Sequence, residues 1–154
     1  SLWEKRQDWT LFVPDPGNKT TQEELLKEYS FITPIDKSTW THEKYLELCW
    51  TSDIVLGNHK YPATWGGLAI TEPMAAYAVP IMPNRYAYKE MLYDRPDCRC
   101  FFEDENEMIS LIEFYLNDPN MLTYVSTMSR QFCEEELSVN KYCDIIATKI
   151  LSLI

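Results

Sequence analysis

The sequence predicts an α/β fold: a three-layer, Rossmann-like parallel sheet with helices on both faces. The first observation is order, because short apolar runs near Thr10 to Val13, Phe31 to Ile35, Asp53 to Gly57, Val79 to Met82 and Arg99 to Phe102 alternate with helix-like segments. The second is the stretch Thr64 to Glu90, which joins a glycine turn, a helix start, a carboxylate about a turn further on and an apolar strand. α/β folds build anion-binding clefts in this way. The third is composition: 154 residues with 45% hydrophobic and 14% aromatic content suffice for one compact domain with a sizeable core.

The opening residues Leu2-Trp3-Glu4-Lys5-Arg6 read like the tail of a helix, so the chain reads as a single domain, 1–154, excised from a larger protein. Trp9 to Pro14 then forms a strand closed by proline. Thr20 or Thr21 caps a helix carrying Leu25, Leu26 and Tyr29. Thr41-His42-Glu43-Lys44 opens the next, with Tyr45, Leu48 and Cys49 at helical spacing. It delivers the chain to Ser52 to Gly57, a buried strand ending at glycine. After the fifth strand, Glu103-Asp104-Glu105 places acids where a helix dipole favours them, ahead of the stripe Met108, Leu111, Ile112, Tyr115 and Leu116. Asp118-Pro119 breaks that helix. Two more follow, divided near Leu137 to Asn140. The last carries Ile145, Ile146, Ile150 and Leu153 and is expected to pack on the sheet or on the missing half of the parent protein.

A net charge of −10 and a pI near 4.6 argue against a clamp for nucleic-acid backbone, which needs clustered Lys and Arg. A nucleic-acid partner would have to be held mostly from outside this segment. Five cysteines without CxxC spacing and only two histidines, His42 and His59, make a zinc site improbable. Cys98 and Cys100 read as reduced, structural thiols. Asn18-Lys19-Thr20 fits a glycosylation sequon, but nothing else signals secretion. No apolar run approaches the ~20 residues that span a bilayer, and no signal peptide opens the chain. The expected setting is a reducing, cytoplasmic one.

Ligands of open α/β sheets bind beyond the carboxyl ends of the strands, so the loop from Gly57 to Gly67 should border a cleft. Gly66 and Gly67 let the backbone approach a ligand, and the amides near Leu68 and Ala69 would point outward at a helix start. A Gly-Gly pair is also the mark of a plain turn. Glu72, five residues after Gly67, could accept two hydroxyl hydrogen bonds, as an acidic residue holding a ribose does, or could be a solvated helix residue. His59, two residues past a strand-end glycine, could face a sugar, donate to a phosphate or be polar surface. Trp9, Trp40, Trp50 and Trp65 read as core and cleft wall rather than a platform for bases, because no basic residues interleave with them.

Trp65-Gly66-Gly67-Leu68-Ala69-Ile70-Thr71-Glu72-Pro73-Met74-Ala75-Ala76, followed by Pro80 and Glu90, resembles the donor-site signature of retaining nucleotide-sugar glycosyltransferases of the GT-B fold. Tyr45 to Leu56 before it and Glu107 to Pro119 after it resemble the same family's C-terminal half, so the likeness covers about Trp9 to Pro119. The resemblance implies a donor-binding domain of an enzyme that transfers a hexose from a UDP or GDP sugar, with no cofactor besides the donor. It implies that Glu72 holds the ribose hydroxyls, that the amides of Gly67 and Leu68 meet the diphosphate, and that the base lies near Thr33 to Ile35. Pro83-Asn84-Arg85-Tyr86-Ala87-Tyr88-Lys89-Glu90 looks most similar to the branch that mannosylates queuosine in tRNA, and reads equally as a loop-to-helix connection with surface charges.

Three positions depart from the family pattern. Its signature is Glu, seven residues, Glu, and the first Glu falls on Thr64, which carries no charge to face the sugar. The glycine that usually ends the motif helix is Tyr77, so a helix exit without a left-handed residue is expected. The family's Arg and Lys that neutralise the diphosphate, which normally precede this segment, are not evident; either they lie in the missing part of the parent protein or Lys60 stands in. A noncatalytic binding module and a transferase acting on tRNA or a modified DNA base are therefore rival readings.

Overall fold

The computed structural model describes residues 6–14, 19–35, 37–57, 67–85, 88–89, 92 and 98–151. It is an α/β structure of parallel sheets flanked by helices. All five strand runs of the sequence are strands: β1 (Leu11–Pro14), β2 (Ile32–Ile35), β3 (Ile54–Leu56), β4 (Val79–Pro83) and β5 (Phe101–Phe102). The helices are α1 (Lys19–Glu28), α2 (His42–Thr51), α3 (Leu68–Ala75), α4 (Glu105–Asn117), α5 (Pro119–Glu136) and α6 (Val139–Leu151), with a 3-10 turn at Lys37–Thr39. α1 opens at Lys19, ahead of the expected caps Thr20 and Thr21.

Strand order alone predicts one sheet, but the five strands pair as two. β1 pairs with β2, and β3, β4 and β5 form the other sheet in that order, all in parallel. Parallel strands are joined through long crossovers, so sequence order does not dictate which strand edges meet. The chain divides correspondingly into two compact units, 1–46 and 47–154, with the boundary inside α2.

In the first unit, α1 carries the chain from β1 to β2, whose register runs Leu11 to Ile32 through Pro14 to Ile35. The Phe31 ring lies 4.7 Å from Trp9 and 5.7 Å from Tyr29, and Leu11 N donates to Phe31 O at 2.9 Å. Leu26 and Tyr29 stay largely exposed, and Ile35 is the buried side chain of β2.

The second unit holds the main core. Every residue of β4 is buried. Successive side chains of a strand point to opposite faces, so both faces of β4 are covered. Ile70 and Met74 of α3, Leu111 and Tyr115 of α4, and Val125, Phe132 and Cys133 of α5 join the cluster around it. Asp104 caps α4 by accepting from Asn106 N and Glu107 N at 2.9 Å, as the acidic run before that helix predicts. Asp118 ends α4 and caps α5 through Met121 N, with Pro119 in the first turn, where its missing N–H costs nothing.

α5 is the helix that covers the sheet beside α3. Ser126 and Ser129 are buried on it and return their hydroxyls to Thr123 O and Val125 O at 2.9 Å, so α5 presents small, satisfied residues where it packs. The apolar face of α6, expected to pack on the sheet or on the missing half of the parent protein, is not on the sheet: α6 has no buried residue, and Val139, Ile146 and Ile150 are 76%, 57% and 54% exposed. Packing space on β4 and α3 is already filled by α5. None of the described helices is long and apolar enough to cross a membrane.

Candidate functional site

The carboxyl edge of the β3-β4-β5 sheet is assembled from strand ends. At β3, Gly57 is buried and its N–H donates to Ile81 O at 2.8 Å. A Cβ there would lie 3.0 Å from Pro83 Cδ and 3.2 Å from Met82 Cα. Glycine thus lets the strand end press against β4 where a Cβ would crowd it. At β4 and β5, register Pro83 to Phe102 sets Asn84 beside Glu103, and Asn84 Nδ2 donates to Glu103 Oε1 at 2.5 Å. Glu103 N donates in turn to Glu107 Oε2 at 2.7 Å. Arg85, half-buried, follows Asn84 and donates its N–H to Pro83 O at 2.8 Å.

α3 lies between β3 and β4 in sequence and returns the chain to the amino end of β4, so its first turn belongs to the carboxyl edge. Gly67 is its N-cap, with φ 49° and ψ −153°, a backbone that residues with a Cβ rarely adopt. No side chain caps the helix, and the first bonds to Gly67 O come from Ile70 N at 3.1 Å and Thr71 N at 3.2 Å. The amides of Leu68 and Ala69 therefore precede the helical ladder and face outward with the positive end of the dipole. Leu68 is 70% exposed and Ala69 is exposed, so the turn is open to solvent.

Glu72 is half-buried one turn below Leu68, on the opposite flank from buried Ile70 and Met74. Gly67, Leu68 and Glu72, three residues singled out by sequence, thus share one helix start. Ile35 belongs to the other unit, where it closes β2 with its side chain 4% exposed. His59, Lys60, Thr64, Gly66 and Glu90 lie outside the described residues.

α3 is held in place from α5. Cys133 Sγ donates to Thr71 O at 3.7 Å, and Arg130 Nη1 donates to Ala75 O. The exit of α3 overturns the expectation for Tyr77. Ala78 N donates to Pro73 O at 2.8 Å and Tyr77 N to Met74 O at 3.1 Å, which is a Schellman closure with Tyr77 left-handed at φ 71°. This conformation costs a residue with a Cβ about 1–2 kcal/mol. The cost is offset in part by ring contacts: Arg130 Cζ lies 5.7 Å from the Tyr77 centroid and Trp50 lies 6.3 Å from it. Trp50, read from sequence as core or cleft wall, is 59% exposed, while Trp9 and Trp40 are half-buried.

All five cysteines are free, and all but Cys143 are buried. Burial pushes the Cys100 thiol up to about 12 and the Cys133 thiol up to about 11, so neither is a nucleophile at neutral pH. Burial likewise raises the Tyr115 hydroxyl, which donates to Arg99 O at 2.8 Å. The structural reading of Cys98 and Cys100 fits these surroundings.

Sequence reasoning passed over the Asn84 to Glu103 link and Arg130. The first had a signal, since each residue directly follows a strand run and parallel neighbours set such positions side by side. The second had none, because its partner Ala75 is 55 residues away in sequence. No family model, curated protein or solved structure matches the chain.

Proposed function

We propose that this chain is the donor-binding domain of a GT-B glycosyltransferase, one Rossmann-like half of a two-domain enzyme that moves a hexose from a UDP or GDP sugar to an acceptor. The observation that carries the reading is the start of α3: Gly67 at φ 49°, uncapped amides at Leu68 and Ala69, and Glu72 one turn along. Outward amides at a helix start stabilise a diphosphate without cationic side chains, which suits a chain of net charge −10. Glu72 accepts the two ribose hydroxyls. The family resemblance of Trp65 to Ala76 supports the same assignment.

In this reading catalysis consists of holding the donor and stabilising the departing diphosphate. The acceptor binds mainly to an N-terminal half of the same protein, and the isolated domain binds donor weakly without turnover. Calorimetry of the folded domain with UDP, GDP and their hexose conjugates tests it, with saturable binding of one nucleotide series expected. Absence of binding to every one of them would sink the proposal. Glu72→Ala is expected to lower nucleotide affinity by about tenfold or more, since an acceptor for two hydroxyls is lost.

Thr64, in place of the signature's first Glu, favours a second reading: a noncatalytic module that keeps the donor site without the chemistry. Thr64→Glu in the full-length protein discriminates between them. Transfer that appears only in the variant supports the module, whereas transfer by the unaltered protein supports the enzyme. Mass analysis of tRNA and modified DNA bases after incubation with sugar donor tests the nucleic-acid acceptor class.

A further inference from the structure

A cluster that the donor reading does not use gathers sulfur just ahead of β5. Cys98 and Cys100 are 7% and 0% exposed, and both are free thiols. Cys98 Sγ lies 3.6 Å from Sδ of Met128, which comes to it from α5, 30 residues further along the chain. Cys100 N donates to Cys98 O at 3.0 Å, closing a three-residue turn that holds the two cysteines closer than the ~6.6 Å of an extended strand. Cys133, also buried, donates its thiol to Thr71 O instead, so burial alone does not bring sulfurs together.

The turn is fixed from both sides. Tyr115 of α4 donates its hydroxyl to Arg99 O at 2.8 Å, and Met82 N of β4 donates to Cys100 O at 2.7 Å. Cys100 Sγ stands 3.9 Å from the Tyr115 hydroxyl. Burial is the main influence on both groups, but a charge on Cys98 also acts on each of them, so the two thiols and the hydroxyl share one neighbourhood. Cys98 is 7% exposed and Met128 is half-buried, so the cluster is not sealed from solvent.

Two thiols and a thioether are a donor set for a soft ion. Thiolate and thioether sulfur favour copper(I), whereas carboxylate, carbonyl and water suit magnesium, calcium and manganese. Structural zinc asks for four donors, and among the described residues no three His, Cys, Asp or Glu side chains gather. Copper(I) is satisfied by two or three sulfurs. Metal–sulfur bonds of about 2.3 Å set two sulfurs about 4 Å apart on a trigonal ion. The 3.6 Å between Cys98 Sγ and Met128 Sδ therefore needs little adjustment. Both thiols release a proton on binding, which leaves a dithiolate-copper group with one negative charge. Arg99, placed between the two cysteines and exerting its charge on Tyr115, offsets it.

We propose that Cys98, Cys100 and Met128 form a copper(I) site, with two thiolates and one thioether as its ligands. It uses no residue of the donor reading, so each stands without the other.

The test is anaerobic titration of the reduced protein with copper(I) in competition with the chromophoric chelator bicinchoninate. A single equivalent withheld from the chelator is expected, and X-ray absorption at the copper edge should show sulfur neighbours alone. Cys98→Ser and Cys100→Ser should each lower the affinity about a hundredfold or more and Met128→Leu about tenfold, whereas Cys143→Ser leaves it unchanged. Met128→Leu nearly conserves volume, so an unaltered circular dichroism spectrum and melting temperature separate a lost ligand from a lost fold. A protein that withholds no copper overturns the proposal, as do oxygen or nitrogen neighbours around the bound ion. Binding that survives Cys98→Ser or Cys100→Ser, that is lost in Cys143→Ser, or that Met128→Leu leaves untouched also overturns it.

Discussion

The two ends of α3 solve the same backbone problem in opposite ways. Both hold a residue at positive φ, Gly67 at 49° entering the helix and Tyr77 at 71° leaving it. At the entry the residue has no side chain, and the amides behind it stay open. At the exit the sequence accepts strain and puts an aromatic ring on the surface. One end is thus shaped by what must be kept clear, the other by what must be displayed.

The largest effect is expected where both ends depend on one side chain. Met74 is fully buried between them, and Met74→Ala should cost about 2–5 kcal/mol through lost burial and the cavity left behind. Urea denaturation measures it, and a loss under 1 kcal/mol would mean that α3 is not anchored through Met74. Gly67→Ala comes next, at about 1–3 kcal/mol, because a Cβ is strained at this backbone. A variant as stable as the parent would show that the entry does not need glycine, and would remove the contrast with Tyr77.

Arg130→Ala should cost about 1–2 kcal/mol by leaving Ala75 O without its donor and the Tyr77 ring without its cation. Thermal melts of Arg130→Ala, Tyr77→Gly and the double variant form a cycle, in which additive effects would deny that the two side chains couple. Tyr77→Gly alone should be the smallest, within about 1 kcal/mol of the parent, because relief of strain and loss of ring contacts oppose each other. A loss well beyond that would assign the ring a structural duty instead of a displayed one.

Much of this fold was legible in the sequence. Apolar runs bounded by Gly, Pro and Asp gave every strand, and the Asp118-Pro119 break and the acidic start of α4 gave helix limits, because these signals are local. The pairing of strands into two sheets was not legible, since it depends on which edges meet. Which of its two expected partners the apolar stripe of α6 meets was not legible for a similar reason: the stripe announces burial, and α5 already occupies the sheet. At the candidate site, Gly67, Leu68 and Glu72 could be placed together because they share one helix start. Tyr77 was expected to avoid the left-handed region on its residue type. The contacts from Trp50 and Arg130 that offset its strain are tertiary and leave no local trace.

At the far corner of the same edge, Asn84, Glu103, Asp104 and Glu107 tie the ends of β4 and β5 to the first turn of α4 through side chains and backbone amides. Such a chain of short bonds makes that corner one mechanical body. Its amides at Glu103, Asn106 and Glu107 should open to solvent exchange together, in a single step that Asn84→Ala makes more frequent. The carboxyl edge of the β3-β4-β5 sheet thus combines a cross-linked corner at its β5 end with a helix start that no side chain caps.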